Sequence, residues 1–106
     1  MSADQLAETL VAAIAAELAA LEAEDADAIL AATAEKTAAL AALQAAIGDG
    51  AQPPRGLIEQ ARDLNAQAVI RSRAKLLAVG KRLAALQPAA MPPRETLAYG
   101  RDGRWA

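Results

Sequence analysis

Leu21-Glu22-Ala23-Glu24-Asp25-Ala26-Asp27-Ala28-Ile29-Leu30 stands between two runs of helical apolar spacing, and its reading decides how many helices the chain contains. Upstream, Leu6, Leu10, Ile14, Leu18 and Leu21 recur at spacings of four and three, which sets them on one face of a helix from Ala3 to about Ala23. Ser2 fits its N-cap, with Asp4 and Glu8 near the positive end of the dipole. Downstream, Ile29, Leu30, Thr33, Leu40, Leu43 and Ile47 carry a second helical pattern from about Ala26 to Ile47. Between the two, Asp25 falls where the first apolar face should continue, and the stripe rotates by roughly a quarter turn at about 100° per residue. Either one long helix bends here, or a tight turn joins two helices with Asp25 or Asp27 capping the second. No Gly or Pro enforces a turn, so the sequence favours the bent helix.

Further along, Gly48-Asp49-Gly50 stops the second pattern, and Pro53-Pro54 delays any restart until Arg55. From about Pro54 to Leu86, Leu57, Ile58, Ala61, Leu64, Ala68, Leu76, Val79, Leu83 and Leu86 share a face, with Asn65 and Ser72 embedded in it. At ~1.5 Å per residue this helix would be roughly 50 Å long. Pro88 and Met91-Pro92-Pro93 end it. The tail Arg94–Ala106 holds the turn-prone pairs Tyr99-Gly100 and Asp102-Gly103. The expected fold is all-α and a single domain: an elongated antiparallel bundle or hairpin of two or three long helices, over about 3–24, 26–47 and 54–87. An extended C-terminal tail follows over 88–106.

Composition points the same way. Of 106 residues 55% are hydrophobic, yet 32 residues are Ala, the best helix former, and Phe is absent. Without Cys or His there is no disulfide, no Cys/His zinc site, no thiol nucleophile and no imidazole base, and no nucleophile–base pair is visible. No enzyme, metal or cofactor is expected. The longest apolar run, Leu10–Ala16, is far short of the roughly 20 residues that cross a bilayer. Asp4 and Glu8 replace the positive start of a secretory signal. The expectation is a soluble, cytoplasmic protein without membrane insertion.

Charge is unevenly spread. Residues 1–50 hold nine acidic side chains and one basic, Lys36, a net −8; residues 51–106 hold ten basic and four acidic, a net +6. The two halves are expected to pack on each other. Nucleic acid is not the expected partner, because Arg55, Arg62, Arg71, Arg73, Lys75, Lys81 and Arg82 spread around the helix and stacking aromatics are scarce. Gly80-Lys81 is no phosphate-binding loop: Lys75 stands at the earlier glycine position and Arg82 at the Ser/Thr. Glu35 and Lys36 are adjacent, do not face each other, and read as solvated surface. The acidic residues from Glu22 to Asp27 lack the glycine turn of a calcium loop and read as a kink or cap.

Three features remain as candidates for function. Asn65 on the apolar stripe either hydrogen-bonds a client or fixes helix register, as Asn does in coiled coils. Ile70 and Leu77 lie off the main stripe, seven residues apart, so the helix has a second apolar face to cover in a bundle, an oligomer or a partner. Tyr99 and Trp105, the only aromatics, sit in the tail, where such side chains serve as interface anchors or dock back on the helices. Thin, Ala-rich faces bury modest area, which favours pairing with a partner or with a second copy as a homo-oligomer.

Four stretches in this order resemble the FlgN-type flagellar export chaperones. They are Leu21–Leu30, similar to an acidic junction between helices; Thr33-Ala34-Glu35-Lys36-Thr37-Ala38-Ala39-Leu40, a Glu-Lys before an apolar run; Leu64-Asn65-Ala66-Gln67, similar to the Leu-Asn start of a late helix; and Thr96-Leu97-Ala98-Tyr99-Gly100-Arg101-Asp102-Gly103, similar to a Tyr-Gly-x-x-Gly tail. The likeness spans roughly residues 18–103; Ala68 replaces a second Asn, and little chain follows Gly103. The resemblance implies a cytoplasmic, non-catalytic chaperone that binds hook-associated (hook–filament junction) proteins and delivers them to the flagellar type III export gate. It implies a gate contact at Tyr99, with Leu97 and Gly100 beside it. Asn65, Ile70 and Leu77 are the client-binding candidates, since helix-in-groove recognition uses anchors at helical spacing. The alternative is a self-associating coiled-coil or assembly adaptor without export clients.

Overall fold

Residues 1–86 are described by the structure, a computed structural model, and among them every regular element is an α-helix: α1 (Ala3–Ala23), α2 (Ala26–Gly48) and α3 (Arg55–Leu86). The chain divides into a unit Met1–Lys75 and a second that begins at Leu76. Leu97, Tyr99 and Gly100 lie outside the described residues, as does Trp105.

Local chemistry sets each helix end. Ser2 closes a capping box: its Oγ accepts from Gln5 N–H at 3.1 Å, while Gln5 Oε1 accepts from Ser2 N–H at 2.8 Å. At the other end of α1 the expected bend is instead a turn. Glu24 adopts the left-handed conformation (φ 54°), and Glu24 and Asp25 N–H donate to Leu21 and Ala20 carbonyls in the Schellman pattern. Asp25 then caps α2, its carboxylate accepting from Ala28 N–H at 3.1 Å. The residue that finishes one helix thus adjoins the one that starts the next. This geometry usually announces itself with a glycine; here a glutamate takes the left-handed position, and the sequence signal is missing.

α2 ends in the more familiar way. Gly50 takes φ 100°, and Gly50 and Ala51 N–H donate to Ile47 and Ala46 carbonyls. Pro53 and Pro54 precede α3, and the Pro54 carbonyl accepts from Leu57 and Ile58 N–H.

Within Met1–Lys75 the three helices pack around one core of Leu10, Ile14, Ala39, Leu43 and Ala61, flanked by Leu6, Val11, Ile58 and Leu64. The face of α2 that enters this core differs from the expected one. Ala32, Ala39 and Leu43 are buried, whereas Leu30, Leu40 and Ile47 are exposed. The small Ala side chains let α2 approach its neighbours closely, and helix spacing follows the side chains at the contact. The α3 stripe is also shorter than expected: Ala61 and Ala68 are buried, but Leu76, Val79, Leu83 and Leu86 are exposed. Lys75, the last residue of the first unit, pairs with Glu24 in the α1–α2 turn at 3.0 Å.

Candidate functional site

Each helix of Met1–Lys75 interrupts its core stripe with one polar residue. On α1 the buried series is Leu10, Ile14, Glu17, Leu21. On α2 Lys36 lies between Ala32 and Ala39, and on α3 Asn65 lies between Ala61 and Ala68. These three side chains meet. Lys36 Nζ donates to Glu17 Oε1 at 2.8 Å and to Asn65 Oδ1 at 3.2 Å, and Thr33 Oγ1 donates to Glu17 Oε2 at 2.9 Å. The Glu17 side chain is 9% exposed and that of Lys36 24%. Both carboxylate oxygens are used, and no buried side-chain polar atom lacks a partner among the described residues.

This layer corrects the reading of Lys36 as solvated surface. Its partner is Glu17 on the neighbouring helix, not the adjacent Glu35, which points elsewhere and is exposed. Asn65 is half-buried and held by Lys36, which is the register-fixing arrangement. Glu17 lies outside the expected α1 stripe, which runs through Leu18, although the spacing 10, 14, 17, 21 in the sequence carries the signal. Chemically the layer is a closed set of donors and acceptors, and no group of acidic residues among the described residues could hold a metal ion.

A different surface is open. Ile70 is 64% and Leu77 69% exposed, two turns apart on α3, and Val69, Leu76, Val79, Leu83 and Leu86 are exposed on the same helix. The structure thus brings Asn65 into the interhelical layer and leaves Ile70 and Leu77 on the outside; the three do not form one cluster. Two ion pairs fix α3 against α1 beside this surface, Arg71 with Glu22 and Lys75 with Glu24. No described helix is long and apolar enough to cross a membrane. No family model matches the chain, and neither does any curated protein or solved structure.

Proposed function

We propose that this chain is a cytoplasmic, non-catalytic export chaperone that binds hook-associated junction proteins and delivers them to the flagellar type III export gate. The observation that carries the reading is the exposure of Ile70 and Leu77, two turns apart on α3 and off its main apolar stripe. A solvated surface rarely keeps so many large aliphatic side chains on one helix unless something covers them. An amphipathic terminal helix of a client is a suitable cover. The order of motifs that resembles the FlgN type supports the same reading. The Lys36 and Asn65 that belong to two of those motifs are joined by a hydrogen bond, and a third motif contains the α1–α2 turn.

The test is light scattering after size exclusion of the chain alone and mixed with hook-associated proteins of the same organism. A complex of defined stoichiometry is expected. Ile70→Asp with Leu77→Asp should abolish it while the circular dichroism of the chain stays unchanged. Tyr99→Ala should spare the complex and impair export. A stable homo-oligomer that takes up no junction protein would favour the self-associating adaptor instead, since the same apolar side chains would then be covered by a second copy.

A further inference from the structure

Within Met1–Lys75 there is a groove whose lining includes neither Ile70 nor Leu77. It runs open between α2 and α3, with a volume of about 430 Å³. Leu43 and Ala61 are buried at its base, Leu40 and Ile47 stand half-exposed along one wall, and Ile58 forms part of the other. The small Ala61 opposite two large aliphatic residues is what leaves the space unfilled. Leu40 and Ile47 are seven residues apart, about 10 Å along the helix.

The charged residues lining the groove are Lys36 and Arg62, and no carboxylate lines it. Lys36 is engaged by Glu17 and Asn65. Arg62 has no ion-pair partner among the described residues. The groove therefore presents aliphatic walls with uncompensated positive charge at the rim.

We infer that this groove docks an amphipathic helix of a partner protein, apolar on one face and carrying carboxylates beside that face, one of which pairs with Arg62. A second copy of the chain is a poor occupant. The apolar face of its α1 is consumed in its own core, with Leu10, Ile14 and Leu21 buried, and the exposed Leu40 and Ile47 of its α2 line a groove that carries the like-charged Arg62. Its exposed apolar helix, from Ile70 onward, carries Arg71, Arg73, Lys75, Lys81 and Arg82, which Arg62 repels. The inference stands apart from the export reading, because neither Ile70 nor Leu77 lines the groove and Asn65, which does, is engaged by Lys36.

The probes are two fluorescein-labelled synthetic helices of about 20 residues with Leu at the heptad core positions. One carries Glu at the flanking positions and the other Lys, and binding to the full chain is read by anisotropy. The acidic helix should bind on the order of tenfold more tightly than the basic one, and Arg62→Glu should reverse that preference. Leu40→Glu should weaken binding by a similar factor, and Ile70→Asp with Leu77→Asp should leave it unchanged; circular dichroism checks that each variant folds. Equal binding of both helices, no binding of either at about 1 mM, or loss of binding with the Ile70 and Leu77 changes would overturn the inference. So would light scattering showing a homo-oligomer that Arg62→Glu dissociates. A shift of Trp105 emission on Leu40→Glu in the free chain would assign the groove to the chain's own tail and overturn it too. Failure of junction proteins to bind the wild-type chain would sink the export reading and leave these outcomes untouched.

Discussion

Glu17 sits in a slot that leucine would fill without desolvation, so its presence has to be accounted for at the level of single side chains. Taking a carboxylate out of water costs several kcal/mol, and here the ammonium of Lys36 and the hydroxyl of Thr33 offset that cost. Lys36→Met removes the charge and leaves Glu17 with the hydroxyl alone. The expected loss is about 3 kcal/mol, seen as a lower urea midpoint. Glu17→Leu together with Lys36→Met should recover most of it, because an apolar pair of similar volume needs no compensation. A cost below about 0.5 kcal/mol for Lys36→Met alone would mean that the pair is solvated in practice. The layer also says why three helices of such uniform Ala surface adopt one alignment: only one axial register brings Glu17, Lys36 and Asn65 together. Asn65 was legible in the sequence because it interrupts a stripe of aliphatic residues. Glu17 and Lys36 were not, since each also has an ordinary reading as helix surface, and only the fold shows that they share a level.

The α1–α2 hairpin turns on two adjacent residues, and the conformation of one of them is unfavourable. A side chain in the left-handed region costs about 1–2 kcal/mol relative to glycine. Glu24 accepts that cost while its carboxylate holds Lys75, an exposed pair worth at most about 1 kcal/mol. Glu24→Gly should therefore be more stable than Glu24→Ala by about 0.5–1 kcal/mol, both lacking the carboxylate, the difference being reduced by the greater freedom of glycine when unfolded. Asp25→Ala, which removes the cap on α2, should cost about 1 kcal/mol. Thermal melting measures both; a Glu24→Gly chain no more stable than Glu24→Ala would show that the turn does not strain the side chain at this position. The helical stretches, with the Ser2 cap and the Gly48-Asp49-Gly50 stop, were plain from spacing and turn chemistry, whereas the separation of α1 from α2 was not. The hairpin turn was hidden because a glutamate does the work of a glycine, and the buried face of α2 was hidden because Ala carries no periodic signal among so many other Ala residues.

For the molecule as a whole, the split between nine acidic residues and one basic in positions 1–50, and ten basic and four acidic in 51–106, has a direct structural counterpart. α3 meets α1 through Arg71 with Glu22 and Lys75 with Glu24. Within Met1–Lys75 the pairing of basic residues of α3 with the acidic first half was legible from charge alone. Which aliphatic residues of α3 it would cover was not, because Leu64 and Leu83 belong to the same periodic stripe, yet one is half-buried and the other exposed. These interhelical pairs are a third to a half exposed, so each contributes at most about 1 kcal/mol after screening. Their attraction fades once the Debye length falls from about 30 Å at 0.01 M to about 3 Å at 1 M. Raising NaCl across that range should therefore lower the melting temperature by a few degrees, about 4–8 °C for each kcal/mol lost in a domain of this size. Glu22→Gln with Glu24→Gln should flatten the dependence, while the Glu17–Lys36 pair, mostly shielded from ions, should contribute little to it. A melting temperature that rises steadily with salt in the wild-type chain would mean that repulsion within each half outweighs attraction between them, and that α3 is held to the hairpin by its aliphatic contacts alone.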